Sequence, residues 1–250
     1  MSDIIFGRNP VLEALKAEHE ITKLLIAEGG APGGPLGQII ALARARNIPT
    51  QFLPRAALDA AAGTSRHQGV VAKTEPFEYA PLDALIALAN ERNEPPFLLL
   101  LDHIQDVHNI GPLLRTAESA GVHGVILPAD RAVGITAAVR KTSAGAVEHL
   151  LVAQVPNAVR AMESLKRQGV WWIGLDQTPR SEPFFGADLT GGIGLVVGSE
   201  GQGLSRLVRE ACDRLLELPM RGQIASLNAS VAGSIVLYEV FRQRSAPRKS

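Results

Sequence analysis

The 250 residues include 46% hydrophobic and 20% charged side chains, enough apolar material for a packed core and too little charge for global disorder. Twenty-five basic and 25 acidic residues cancel, so a nucleic-acid partner would have to be held by local patches rather than a cationic excess. A lone cysteine, Cys212, no apolar run near the roughly 20 residues of a membrane span, and no signal-peptide pattern at the N-terminus point to a reducing cytoplasm and no membrane role.

Residues 4–74 read as a small α/β unit. Asn9 is a candidate N-cap, with Pro10 at the first helical position. Residues 21–26 form a candidate strand, and a glycine- and proline-rich loop follows over 29–37. Helical spacing returns over 36–46, residues 48–52 are extended, 54–61 form a short helix, and 68–72 form a closing strand. This alternation predicts helices packed on a sheet. Pro76, Pro81, Pro95 and Pro96 bracket a helical segment at 82–89 and mark a domain boundary. The chain therefore divides into 1–76, a linker over 77–96, and a second domain over 97–250.

The second domain opens on Phe97-Leu98-Leu99-Leu100-Leu101, the continuous apolar run of a strand buried on both faces. Helices are predicted over 111–120 and 156–168, and strands over 124–127, 150–154, 170–175 and 193–197. A long last helix spans 226–244, alanine-rich early and amphipathic later. Such alternation makes a mostly parallel sheet, with ligands favoured at the carboxyl ends of its strands. Trp171 and Trp172 suit rim and core packing, and Cys212 is an inert small residue.

Three polar patches interrupt this pattern. The first, residues 102–115, follows the buried strand. Asn109 is a candidate cap for the next helix, and Arg115 sits among apolar helix neighbours, where a buried guanidinium would need a partner such as Glu118 or a catalytic role. The second, Gly198-Ser199-Glu200-Gly201-Gln202-Gly203, matches neither the dinucleotide fingerprint nor a phosphate loop, and Glu200 would repel phosphate. Closely approaching backbone with one carboxylate suits a phosphate-free, positively charged cofactor such as S-adenosylmethionine, although a plain strand–turn–helix is also consistent with it. In the third, Ser226-Leu227-Asn228-Ala229-Ser230 opens the last helix, with Ser226 or Asn228 as N-cap and small Ala229, Ala232 and Gly233 beside them. His103 and His108 with Asp102 and Asp106 follow no recognised metal-site spacing, and no metal is expected. The Gly-x-Ser-x-Gly elbow of a hydrolase is absent.

Taken together and in this order, residues 109–115, 198–201 and 218–230 resemble the three motifs of the SpoU (TrmH-like) branch of the SPOUT RNA 2'-O-ribose methyltransferases. Lys141-Thr142-Ser143-Ala144-Gly145-Ala146 is similar to another recurrent stretch of that family. Residues 6–11 and 67–72 resemble its ribosomal-protein-like substrate-binding domain. The resemblance covers nearly the whole chain and is closest to the branch that methylates a guanosine 2'-hydroxyl in 23S ribosomal RNA.

That resemblance implies a small N-terminal substrate-binding α/β domain and a C-terminal SPOUT domain with a trefoil knot, assembled as a homodimer. It implies S-adenosylmethionine held by Val197, Gly198, Gly201, Leu218, Met220, Ser226 and Leu227. It places Asn109, Arg115, Glu200, Ser226, Asn228 and Ser230 in the catalytic set, and makes Arg8, Arg66 and His67 candidate RNA contacts. The first 76 residues hold eight basic and seven acidic side chains, so those contacts would act without a strongly basic surface. The same chemistry on a tRNA guanosine, and a non-catalytic RNA-binding or ribosome-assembly role, stand as alternatives.

Overall fold

A computed structural model describes residues 3–245 apart from 18, 30–32, 131 and 224–225. Arg248 and Lys249, basic residues near the C-terminus of the sequence, lie outside the described residues. The chain forms two compact units: Met1–Glu78 with Ile135–His149, and Tyr79–Gly134 with Leu150–Ser250.

The first unit runs β1 (Asp3–Phe6), α1 (Arg8–Lys16), β2 (Ile21–Ala27), α2 (Gly34–Ala45), β3 (Thr50–Leu53), α3 (Arg55–Ala62) and β4 (Val70–Thr74). Its sheet has the order β1-β4-β2-β3, with β4 interior and antiparallel to both neighbours. Ile5, Val11, Leu15, Leu24, Ile26, Ile39 and Val70 form its core. Helix α1 starts at Arg8, not at Pro10 with Asn9 as cap. Gly7, at φ 99°, precedes it, and the side-chain carbonyl of Gln68 accepts the Arg8 N–H at 2.9 Å, the service a capping side chain gives elsewhere.

The second unit begins with α4 (Leu82–Glu91), β5 (Phe97–Asp102), α5 (Val107–Ser119) and β6 (Gly124–Pro128). The chain then contributes α6 (Ala137–Thr142) and a 3-10 turn over Ala146–His149 to the first unit. There Arg140 and Glu148 are buried together at 3.3 Å, with the Arg140 guanidinium 5.4 Å from the Phe77 ring centroid. Burial pushes the Glu148 carboxyl above the usual carboxylate range. The second unit resumes with β7 (Val152–Val155), α7 (Ala158–Lys166), β8 (Trp171–Leu175), β9 (Glu182–Pro183), β10 (Ile193–Gly198), α8 (Arg206–Ala211), β11 (Arg214–Glu217) and α9 (Ala229–Ser245).

Its sheet has the order β7-β6-β5-β10-β8-β11-β9, and every recorded pairing is parallel. All six residues of β5 and all six of β10 are buried, as strands covered on both faces must be. Trp172 is fully buried and donates its indole N–H to Met162 O at 3.0 Å, whereas Trp171 is exposed. His123 is also fully buried, and its Nδ1 accepts the Phe97 N–H at 3.0 Å. Helix α9 returns against α5 and β10. A Cβ on Gly233 would lie 2.5 Å from Leu113 Cδ2, so only glycine permits that approach. At the far end of α9, Arg244 donates to the carbonyls of Pro95, Pro96 and Gly191 at 2.9, 2.9 and 2.6 Å. Burial pulls its pKa down to about 10.

Candidate active site

The loop after β10 closes on itself. Ser199 and Gly203 form an isolated antiparallel bridge, with Gly203 N–H donating to Ser199 O at 2.9 Å. A Cβ on Gly198 would stand 2.2 Å from Gly203 O, so a side chain there would force the loop open. This loop, the carboxyl ends of β8 and β11, and the segment leading into α9 surround a cavity of about 700 Å³. Val197, Gly198, Gly201, Leu218, Met220, Ser226 and Leu227, drawn from three stretches of sequence, all line it. So do Asp176 and Arg209, which form an ion pair, Arg209 also donating to Leu204 O at 2.9 Å. Nothing in the local sequence pattern marked that pair.

At the edge of the cavity Asn228 joins the three polar patches. Its Oδ1 accepts from Ser230 N–H at 3.0 Å, Val231 N–H at 3.2 Å and the Ser230 hydroxyl at 2.6 Å, which caps the start of α9. Its Nδ2 donates to Asn109 Oδ1 at 2.7 Å and to Glu200 Oε1. Three donors on Oδ1 fix which way the amide faces, and that in turn presents the carbonyl of Asn109 to Asn228 and its NH2 elsewhere. Ser226 lines the cavity, and Ser230 enters the network through Asn228.

The other residues singled out from sequence fall differently. Asn109 does not cap α5: Asp106 does, accepting His108 N–H at 2.8 Å, and Asn109 is buried in the first turn of a helix that begins at Val107. Arg115 is exposed rather than buried, and among the described residues it has no ion pair. With α5 starting at Val107, its inner face is Asn109, Ile110, Leu113, Leu114 and Ala117, and Arg115 falls off that face. Arg8 and Arg66 are exposed on the first unit. His67 is fully buried, with Nε2 2.9 Å from Asp59 Oδ1 and Nδ1 accepting Gly69 N–H at 3.0 Å, so neither ring nitrogen is left for RNA. A residue not singled out for RNA contact, Lys141, joins Arg66 by donating to its carbonyl at 2.6 Å. Burial, and then the neighbouring Arg66 charge, hold the Lys141 ammonium below the usual lysine range.

The model of the SpoU rRNA Methylase family matches residues 96–238. That of the RNA 2'-O ribose methyltransferase substrate-binding domain matches residues 4–80. The chain belongs to the SpoU rRNA methylase family. It is 46% identical over 243 residues to YacO of Bacillus subtilis (strain 168), a protein assigned to the TrmH family of tRNA/rRNA methyltransferases, covering 97% of this chain and 96% of that one. A Staphylococcus saprophyticus protein assigned to the same family is 42% identical over 242 residues, with the same coverages. Among solved structures, the SpoU methyltransferase AviRb from Streptomyces viridochromogenes, in complex with AdoMet, superposes with a TM-score of 0.81 at 25% identity, covering 97% of this chain and 90% of that one. The two-domain RNA methyltransferase fold expected from the motifs is the fold found.

Proposed function

We propose that this chain transfers a methyl group from S-adenosylmethionine to the 2'-hydroxyl of a guanosine in 23S ribosomal RNA, in the cytoplasm and as a homodimer. The observation that carries this reading is the meeting of Asn109, Glu200 and Asn228 at the edge of a cavity whose walls combine small or apolar residues such as Gly198, Val197 and Leu218 with polar ones such as Asp176 and Arg209. Gly198, where a Cβ has no room, forms a wall that approaches a ligand through its backbone, and Glu200 adds one negative charge without a phosphate-binding cation in the loop. Both suit a cationic, phosphate-free cofactor.

Bound there, S-adenosylmethionine supplies an electrophilic methyl group on sulfur. The residues around it have to align a weakly nucleophilic hydroxyl. Asn109 offers its amide NH2 and Glu200 its second carboxylate oxygen, each held by Asn228. Arg115, exposed and without an ion pair among the described residues, is suited to clamp an RNA phosphate. A guanidinium carries only donors, so it does not take the hydroxyl proton. Arg8, Arg66 and Lys141 give the first unit a local cationic patch for RNA, and His67 shapes the turn beneath it. The family description as an rRNA methylase favours ribosomal RNA, and the guanosine rests on the motif resemblance. Val231, Ile235, Tyr238 and Phe241, spaced along one face of α9, are 41–49% exposed, and a second copy would cover them.

The test is methyl transfer from labelled S-adenosylmethionine to 23S RNA lacking its native modifications, with tRNA in parallel, and the labelled position mapped by 2'-O-methyl-sensitive sequencing. Label at one guanosine of 23S RNA is the expected result. Label in tRNA alone would move the substrate, and no label in either would favour a binding protein.

A further inference from the structure

A second cavity, of about 500 Å³, adjoins the first. It is lined by the turn after β5, the buried face of Asn109 and the start of α8, and it shares Ser199, Glu200, Gln202 and Gly203 with the first cavity. Its volume lies within the ~300–1,000 Å³ usual for small-molecule sites. One aromatic ring, His103, is among its lining residues.

His103 is held in an unusual way. Its φ is +58°, a left-handed conformation that costs a non-glycine residue on the order of 1 kcal/mol. Its Nδ1 lies 2.5 Å from Oδ1 of Asp102, a fully buried carboxylate at the end of β5, whose Oδ2 accepts the Ser205 N–H at 2.6 Å. Asp102 therefore occupies Nδ1, and Nε2 is left without a partner among the described residues. Backbone geometry alone would be better served by glycine at this position.

We propose that this second cavity receives the acceptor nucleoside, turned out of its RNA strand, and that His103 contacts it through Nε2 or its ring face, with Asp102 as the positioning residue. The inference rests on the methyltransferase reading above and adds the place of the acceptor. In-line transfer requires the acceptor oxygen to face the methyl group across a common boundary, and the loop at 199–203 is a boundary of both cavities. Asn109 on the acceptor side is bonded to Asn228 on the donor side, so the residues that orient the hydroxyl span the junction. Amide, imidazole and carboxylate groups around an extruded base are what enzymes acting on single nucleotides use to hold it.

The test uses the full-length chain with His103→Gly, His103→Gln and Asp102→Asn. Glycine fits the left-handed backbone, so His103→Gly should keep its thermal midpoint and, by calorimetry, bind S-adenosylmethionine within about twofold of wild type. Its kcat/KM for 23S RNA should fall roughly tenfold, mostly through KM, with partial recovery in His103→Gln and a smaller KM effect in Asp102→Asn. Transfer within about twofold of wild type by His103→Gly would overturn the assignment. So would a loss of cofactor affinity matching the loss for RNA, because it would mark His103 as a prop for the donor loop. If the wild-type chain binds cofactor but labels neither RNA, the target reading fails separately. Crystals with S-adenosylhomocysteine soaked in guanosine then decide the pocket: a nucleoside against His103 supports it, and a nucleoside elsewhere or none overturns it.

Discussion

Asn228 reaches Asn109, 119 residues earlier in the chain, through a 2.7 Å hydrogen bond, while its other amide atom caps α9. One side chain therefore secures a helix and orients the amide of Asn109. The two duties separate by substitution. Asn228→Ser keeps a capping oxygen and is too short to donate to Asn109 and Glu200, so its thermal stability should stay near wild type while methyl transfer collapses. Asn228→Ala loses both and should also be destabilised by about 1 kcal/mol in denaturant titration. Equal activity in Asn228→Ser and wild type would remove Asn228 from the catalytic set.

Gly198→Ala places a methyl group 2.2 Å from Gly203 O. Relief requires the loop to open, at a cost of about 1–3 kcal/mol. Calorimetry should show S-adenosylmethionine binding abolished in a chain that still folds. Retained binding would mean that this wall does not touch the cofactor.

Arg115→Ala should leave the unfolding midpoint within about 0.5 kcal/mol of wild type, because the side chain is exposed and has no ion pair among the described residues. Methyl transfer should fall by roughly 100-fold, with cofactor affinity unchanged. A folding defect would instead mark Arg115 as structural.

His123 sets a pH dependence of stability. Burial holds its pKa below the ordinary 6.5, and the Phe97 N–H donates into Nδ1, which protonation would block. In acid the unfolded chain takes up this proton before the folded one does, so the stabilisation is complete above about 6.5 and is lost as pH falls through the lowered folded value. Thermal midpoints recorded from about pH 7.5 down to about pH 5 should decline more steeply for wild type than for His123→Gln, whose side chain does not titrate. Parallel slopes would exclude His123 as the source.

Replacing both Ile235 and Tyr238 with Glu puts two charges on the exposed apolar face of α9. Sedimentation velocity should show a dimer for the wild-type chain and a monomer for the double variant. An unchanged dimer would place the subunit contact elsewhere.

Strands β5, β6, β7, β8 and β10 were legible because burial writes itself as an apolar run, as at Phe97–Asp102, whereas β9, two exposed residues, carries no such signal. Positions that line the larger cavity were legible as motifs, although they come from separated stretches. The N-terminus of α5 was not. Asp106 and Asn109 are both good caps, only hydrogen bonding distinguishes them, and choosing Asn109 shifted the helix start and placed Arg115 among buried neighbours. Strand β1 was too short for its alternation to register. That Ile135–His149 packs in the first unit, and that Asp102 fixes His103, are contacts between segments or conformations that no local periodicity encodes.

The loop from Ser199 to Gly203 stands between two cavities, and this has a thermodynamic corollary. Whatever factor a ligand on one side of the loop imposes on affinity at the other, the second ligand must return to the first. Donor affinity measured without RNA is then one edge of a closed cycle. A preference for forming the ternary complex would be built into five residues of backbone rather than into a moving domain.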